Sequence, residues 1–393
     1  MTTDEQIQEL LTRGVERIYP SPEFLEKELI SGRRLSLYLG IDPTGPTLHL
    51  GHMIPLLKLS QFQALGHRVI LLIGDFTATI GDPTDKTATR VALTKEQTQK
   101  NAALYKKQVD RVLAFGGDNP AEIKYNSEWL EILPISETIK LLSAMTYAQN
   151  IKRDMFQTRI KEGKDLFLHE FLYPVFQGYD SVAMGVDGEV GGNDQTFNML
   201  VGRDLLKKLK NKEKFVIAMK LLADPTGKKM GKTEGNMVTL EDSPDDMFGK
   251  VMSWPDEMIL SGFELCTRIP LSEIDAMKRQ LEGGVNPRDI KMRLAREIVA
   301  LYHGEDAAKL AAQNFTAAFT EGKPEEFVEI SGKNIAEALL EKKLIESKSD
   351  LRRLIGEGAV TNLETGEKMG ESFLKTAPAG KYRIGKHRFI KIP

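Results

Sequence analysis

Residues Arg68–Ile73 read RVILLI, and this short run limits the fold more than any other stretch of the 393-residue chain. An almost unbroken apolar run of strand length suits a strand covered on both faces, the situation of strands in a parallel sheet. Upstream, Leu35–Gly40 (LSLYLG) also has strand character, and Ile41–Gly51 is a turn rich in glycine and proline. From about His52 the apolar residues Ile54, Leu57, Phe62 and Leu65 fall inward at helical spacing until Gly66 stops the helix. Strand, helix, strand is the unit of a parallel α/β sheet, because parallel neighbours need a crossover. Ligands of such sheets sit beyond the carboxyl ends of the strands, so chemistry is expected on the segments 41–52 and 74–90.

Around that unit the pattern changes several times. Residues 5–18 carry Ile7, Leu10, Leu11 and Ile18 near helical spacing, an amphipathic opening helix. The stretch 95–180 is mostly helical, and Val216–Leu222 is another buried strand leading into the glycine- and lysine-rich segment Asp224–Gly235. From about Glu241 to Phe319 the pattern is helical again, Glu321–Glu326 has the composition of a hinge, and the tail beyond it holds two short helices and several strands.

At 41% hydrophobic and 28% charged residues, the chain is in the globular class and large enough for two or three domains. The start, MTTDEQIQEL, is acidic and no apolar run reaches the length of a membrane span, so neither signal peptide nor membrane anchor is expected, and the expected location is cytoplasmic. The single cysteine, Cys266, cannot form an intramolecular disulfide, and six histidines without cysteine clusters give no structural zinc site. The formal net charge is −2, yet residues 331–393 contain 13 lysines and arginines against 8 acidic residues. A basic appendage on a weakly acidic body suits a polyanionic partner.

His49-Leu50-Gly51-His52 stands at the mouth of the crossover helix. Two imidazoles around a glycine at a helix N-terminus supply donors beside the positive end of the dipole, with room for a phosphate chain to approach the backbone. About 180 residues further on comes Lys229-Met230-Gly231-Lys232-Thr233, two lysines three apart held by glycine. Taken singly, the first is a capped turn and the second a solvated basic loop. Together they fit a triphosphate, with histidines on one side and lysines meeting the charge of departing pyrophosphate. His49 and His52 have no third ligand at suitable spacing, so no metal site is read there.

In order along the chain stand Tyr38-Leu-Gly40-Ile-Asp42-Pro-Thr44, Leu48-His49-Leu-Gly51-His52, Ile80-Gly-Asp82-Pro-Thr, Tyr173-Pro-Val-Phe-Gln177-Gly-Tyr-Asp180 and Gly191-Gly192-Asn-Asp194-Gln195. With the lysine segment, this series resembles the class I aminoacyl-tRNA synthetases, and among them the tyrosyl enzymes, over essentially the entire chain. The resemblance implies an α/β fold in three parts: a Rossmann-like parallel-sheet catalytic domain with a helical insertion (1–235), a helical anticodon-arm-binding domain (236–322) and a small α+β RNA-binding domain similar to a ribosomal small-subunit protein (331–393). It also implies ATP as a substrate carried in with Mg2+, L-tyrosine and tRNA(Tyr) as the other substrates, and a two-fold homodimer.

The same resemblance assigns residues. Tyr38 and Asp180 are implied at the phenol hydroxyl, with Thr77 as a further tyrosine contact. A buried phenol needs partners that both donate and accept, and a tyrosine with a carboxylate does both. Asp82, Tyr173 and Gln177 are implied around the α-ammonium and Gln195 at the carboxylate. For ATP, Thr44 and His49 are implied at the β- and γ-phosphates, His52 and Asp194 at the ribose, and Lys229 and Lys232 at the pyrophosphate. Lys86 and Arg90 belong to a polar lid-like loop, and Gly40, Asp42, Gly51, Gly192 and Met230 complete the implied ATP contacts. In the tail, Lys348, Arg352 and Arg353 at helical spacing form a basic face for phosphates, joined by Lys386 and Arg388.

The family pattern is broken at a few positions. The lysine loop reads KMGKT in place of KMSKS, Asn193-Asp194-Gln195-Thr196 replaces Ser-Asp-Gln-Trp, and Leu39 stands where many members have a cysteine at the ribose. Pro55 is placed in the first turn of the crossover helix, where a missing N–H costs little. Three other readings stay open. A tryptophanyl or other class I synthetase would lack the Tyr38 and Asp180 pair, and a nucleotidyltransferase making a small adenylated metabolite would not need the long basic-tailed extension. An RNA-binding relative without catalysis should have lost His49, His52, Lys229 and Lys232 first, and all four are present.

Overall fold

The RVILLI run lies inside a six-stranded sheet in a computed structural model of the chain. Residues 3–84, 93–227, 237–317, 327–330, 335–342, 344–345, 347–370, 373, 378–385 and 388–392 are described. The strands are β1 (Val15–Tyr19), β2 (Ser36–Ile41), β3 (Arg68–Ile73), β4 (Glu122–Tyr125), β5 (Gly188–Gly192) and β6 (Phe215–Met219), in the spatial order β1-β6-β5-β2-β3-β4. All neighbours from β6 to β4 are parallel, and only the edge strand β1 runs antiparallel, to β6. Every residue of β6 and all but the first of β3 are buried, which is why these two strands lack the alternation of a half-exposed sheet. The crossover helix Leu50–Ala64 packs against β2, β3 and β5, and the helix Thr196–Lys210 packs against β5 and β6. After β2 the chain moves to β3 and β4 on one side, then returns to β5 and β6 on the other. The carboxyl ends of β2 and β5 therefore flank the switch point where open α/β sheets bind ligands.

Two local readings need correction. The opening helix covers only Thr3–Thr12; Gly14, at φ +62°, turns the chain, and Ile18 belongs to β1, opposite Ile217. A glycine tolerates that left-handed turn where other residues resist it, so the helical spacing of Ile18 is coincidental. Pro55 is the sixth residue of the Leu50–Ala64 helix, in its second turn, so the helix forgoes the bond that a residue-55 N–H would make to the Gly51 carbonyl.

The chain forms two compact units, Met1–Asp242 with Trp254–Leu294, and Ser243–Ser253 with Ala295–Pro393. The first holds the six-stranded sheet. In the second, the helices Pro244–Met252 and Glu305–Thr316 meet through Phe248 and Phe315. Its sheet has the order β7-β10-β9-β8, with β7 (Val328–Glu329), β8 (Val360–Asn362), β9 (Gly380–Ile384) and β10 (Arg388–Ile392). The helices Ile335–Glu341 and Lys348–Gly356 cover it, and Leu339, Leu351, Val360, Tyr382, Ile384 and Ile390 form a core drawn wholly from the tail. The hinge expected at Glu321–Glu326 lies outside the described residues.

Candidate active site

His49 is the N-cap of the Leu50–Ala64 helix, and its Nδ1 accepts the Gly51 N–H at 3.1 Å. His52 Nδ1 accepts the His49 N–H at 3.3 Å, so the two imidazoles close a capping box, their ring centres 3.9 Å apart. The glycine between them is required by contact: a Cβ at position 51 would lie 2.9 Å from His49 Cε1. Burial pushes His49 down to about 4, and burial plus the neighbouring His49 pushes His52 down to about 3. Both rings are thus neutral near pH 7, and with Nδ1 accepting, each carries its proton on Nε2, where it serves as a donor. The pair offers hydrogen bonds at the helix N-terminus without adding formal charge.

Lys229, Met230 and Lys232 lie outside the described residues, as do Lys86, Arg90 and Lys386. The chain that follows the lysine segment is nevertheless tied to the histidines. Leu50 N–H donates to the Val238 carbonyl at 3.0 Å, Leu240 N–H to the Leu48 carbonyl at 3.0 Å, and Thr47 Oγ1 to Glu241 Oε2 at 2.8 Å. His49 itself forms a β-bridge with Thr239. The histidine motif is thus joined by backbone bonds to the segment 238–241, remote from it in sequence.

A chain of polar groups, buried except for the half-buried Asp42 and Trp129, crosses the ends of β2, β3 and β4. Tyr173 Oη donates to Asp42 Oδ2 at 3.0 Å, and Thr77 Oγ1 donates to Asp42 Oδ1 at 2.7 Å. Asn126 Nδ2 lies 3.0 Å from Thr77 Oγ1 and 3.3 Å from Asp180 Oδ2, donating to both, while Trp129 Nε1 donates to Asp180 Oδ1 at 2.8 Å. Burial raises the Asp180 carboxyl well above its usual range; the Trp129 and Asn126 donors oppose that by favouring the anion. Tyr38, fully buried, does not bond Asp180 but pairs with the adjacent Ser181 at 3.0 Å. Its phenol is also raised, by burial first and then by the charges of Glu189 and Asp180.

The groups assigned to the amino and carboxyl ends of the substrate divide into two sets. Asp82 accepts Gln195 Nε2 at 2.6 Å and both the N–H and Oγ1 of Thr84, whereas Tyr173 spends its hydroxyl on Asp42. Gln177 Oε1 is buried with no hydrogen-bond partner among the described residues, an acceptor open to a cation. Gly40 and Thr44 are exposed at and just beyond the end of β2; Gly192 ends β5, and Asp194 is exposed on the turn that follows.

Four residues of this region escaped the sequence reading. Asn126 and Trp129 hold Asp180; Asn126 directly follows β4, and the rule that sites gather at strand ends would have found it. Asn198 fixes Gln195 through its Oε1 at 2.9 Å. Arg153 donates to Thr84 Oγ1 at 2.9 Å and lies over the Phe197 ring, and its Nη1 is buried without a partner among the described residues. Burial lowers its pKa to about 10, against the pull of Asp82 and Tyr173, so it remains a cation beside the Asp82 cluster. No spacing in the sequence marks it. Among the described residues, no three His, Cys, Asp or Glu side chains gather to hold a metal ion.

In the tail, Lys348 pairs with Glu337 at 2.7 Å, and Arg353 with Asp350 at 2.8 Å and Glu357 at 2.9 Å. Arg388 stands 3.7 Å from Asp350. Arg352 is exposed and has no ion pair among the described residues.

Comparison with known proteins agrees with this geometry. The family described as tRNA synthetases class I (W and Y) matches residues 31–320. The chain is 43% identical to a tyrosine–tRNA ligase of Carboxydothermus hydrogenoformans, over 98% of this chain and 97% of that protein. It is 44% identical to a tyrosine–tRNA ligase 2 of Vibrio cholerae, over 97% of each. Among solved structures, a C-terminally truncated mitochondrial tyrosyl-tRNA synthetase of Coccidioides posadasii superposes with a TM-score of 0.64 at 25% identity, covering 78% of this chain and 91% of that one.

Proposed function

Because the chain belongs to the class I tRNA synthetases of the tryptophan and tyrosine type, we infer that it joins L-tyrosine to its transfer RNA, using ATP. The observation that carries the choice of amino acid is the buried Asp180, held by Trp129 and Asn126 and flanked by Tyr38. A carboxylate keeps acceptor sites beyond its bonds to Trp129 and Asn126, which a phenol hydroxyl would use and phenylalanine would leave unmet. Indole, with a donor only, matches Asp180 together with Tyr38 less well.

In the proposed reaction the tyrosine carboxylate attacks the α-phosphorus of ATP in line, the bond to pyrophosphate breaks, and tyrosyl-adenylate forms. The carboxylate is already a nucleophile, so no serine, cysteine or general base is needed. The protein positions and stabilises. Gln177 and Asp82 receive the α-ammonium; the open Gln177 Oε1 supports this role. His49 and His52 donate through Nε2 to the phosphate chain and ribose, and Thr44 and Asp194 border the same crevice from the ends of β2 and β5. Lys229 and Lys232, with Lys86 and Arg90, meet the leaving pyrophosphate; their sequence context and the anchoring of Val238 and Leu240 beside His49 support that assignment. Magnesium enters as part of the nucleotide substrate. In the second step a ribose hydroxyl at the end of the transfer RNA attacks the adenylate carbonyl and AMP leaves.

The division into a catalytic part (1–235), an anticodon-arm part (236–322) and an RNA-binding tail (331–393) goes with this proposal, supported for the tail by its separate core. So do a cytoplasmic location and a homodimer. For the dimer, the support is the exposure of Ile132, Ile135, Ile139, Tyr147, Phe167 and Leu168 on the catalytic unit. Ile135 and Ile139 stand one turn apart on the helix Ile135–Ser143, which turns Leu141 inward. Sedimentation at twice the chain mass is the outcome the dimer predicts.

ATP–pyrophosphate exchange with each of the twenty amino acids, without transfer RNA, tests the central reading. Exchange with tyrosine, abolished in Asp180→Ala, is expected. Exchange with tryptophan, or with no amino acid, would overturn it.

A further inference from the structure

Behind the Tyr38 ring lies a closed set of polar side chains that the chemistry above does not use. Lys214, just before β6, and Glu189 of β5 form an ion pair with side-chain exposures of 0% and 3%. The same ammonium donates to Ser181 Oγ at 2.8 Å, and Ser181 Oγ is 3.0 Å from Tyr38 Oη. Lys214 Nζ also stands 5.8 Å from the centre of the Tyr38 ring, within reach of a cation–π contact. The helix Thr196–Lys210 seals the set, since a Cβ on Gly202 would come within 2.8 Å of both Lys214 Nζ and Ser181 Oγ.

Donor counting gives this cluster a direction. An ammonium has donors only, so Ser181 Oγ accepts from Lys214. Among the described residues the remaining partner of the Ser181 hydroxyl is Tyr38, so the serine proton goes to Tyr38 Oη. A phenol that accepts there keeps its own proton for another acceptor; the Glu189 carboxylate is one within the set, and the phenol oxygen of a bound substrate would compete with it. Two hydroxyls alone can exchange donor and acceptor roles by rotation. A cation that can only donate removes that freedom, and Glu189 keeps the cation paired in a buried place.

We propose that Lys214, Glu189 and Ser181 are positioning residues for substrate selection, holding the Tyr38 hydroxyl as a donor toward the phenol oxygen of bound tyrosine. The inference rests on the reading that Tyr38 and Asp180 meet that phenol, and its test separates the two.

The full-length native protein, Ser181→Ala and Tyr38→Phe are compared in ATP–pyrophosphate exchange with tyrosine and with phenylalanine. Ser181→Ala is expected to lower kcat/KM for tyrosine roughly tenfold and leave phenylalanine nearly unchanged, so the ratio falls roughly tenfold. Tyr38→Phe is expected to lower the ratio at least as far. If Tyr38→Phe lowers it and Ser181→Ala does not, the relay is overturned while the role of Tyr38 stands. If Ser181→Ala depresses both substrates alike, the serine only packs, and the relay is again overturned. If neither variant changes the ratio, the phenol reading falls with it. Should Ser181→Ala fail to fold, the double variant Glu189→Met/Lys214→Met, which removes both charges and keeps the serine, carries the same expectation: a ratio lowered roughly tenfold supports the relay and an unchanged ratio overturns it.

Discussion

His49 and His52 are neutral because they are partly desolvated and lie against each other with their Nδ1 atoms committed to backbone N–H groups. Two consequences follow for pH. In the exchange reaction neither ring ionises between about pH 5 and 8, so the rate profile there carries no inflection from them. In stability the sign is fixed by the depressed folded values. Below the unfolded value of 6.5 the unfolded chain takes up protons that the folded chain refuses, so stability falls on acidification from about pH 6.5 toward the folded values of about 4 and 3. The slope is up to ~1.4 kcal/mol per pH unit for each histidine. Urea midpoints at pH 7 and pH 5 check this: His52→Asn should lose less on acidification than the native protein, and an equal loss would refute the assignment. The motif itself was legible in sequence because histidine, glycine and a helix start are adjacent there. The protonation state was not, since it depends on burial that no local pattern reports. Trp129 and Arg153 were illegible for a related reason: each acts on a partner some 50 to 70 residues away, and neither sits in a periodic or glycine-marked stretch.

At the scale of the element, the Leu50–Ala64 helix does two things with one surface chemistry. Its apolar residues Met53, Ile54, Leu56, Leu59 and Phe62 are buried, and its first turn presents the histidines. The strand, helix, strand order was readable because a doubly covered strand such as RVILLI has few other uses. The antiparallel β1 was not readable, since the break at Gly14 is a backbone event within a stretch whose apolar spacing still fits a helix. Gly51 lets helix stability and chemistry be separated. Alanine is the better helix former by ~1 kcal/mol in a helix interior, so Gly51→Ala should leave the unfolding midpoint within about that margin. Its Cβ, however, would stand 2.9 Å from His49 Cε1 and must push the ring aside. Loss of one aligned donor predicts a fall in the exchange kcat of roughly a hundredfold. A variant that keeps both stability and kcat would show that the position of His49 is not critical.

For the whole molecule, the net charge of −2 conceals an uneven distribution, an acidic body and a basic tail with its own core. The sequence count of basic residues singles out the tail as the polyanion-facing part of the proposal but treats its cations as equivalent. They are not. Lys348 is matched to Glu337, and Arg353 is held between Asp350 and Glu357, so an approaching phosphate must displace carboxylates to reach it. Arg352, exposed and with no ion pair among the described residues, meets a phosphate without that exchange. Exposed ion pairs are weak, ~0–1 kcal/mol, so the difference is modest but measurable. Arg352→Ala should weaken transfer RNA binding about fivefold at low salt and reduce the slope of log affinity against log salt by about one, the signature of a lost phosphate contact. Arg353→Ala should do less on both counts, because removing it also frees two carboxylates to pair elsewhere or stay hydrated. Pyrophosphate exchange should be unchanged in both variants, since that step needs no RNA. If Arg353→Ala proves the more damaging of the two, the phosphate path lies on the other side of the helix and the paired arginine is released on binding.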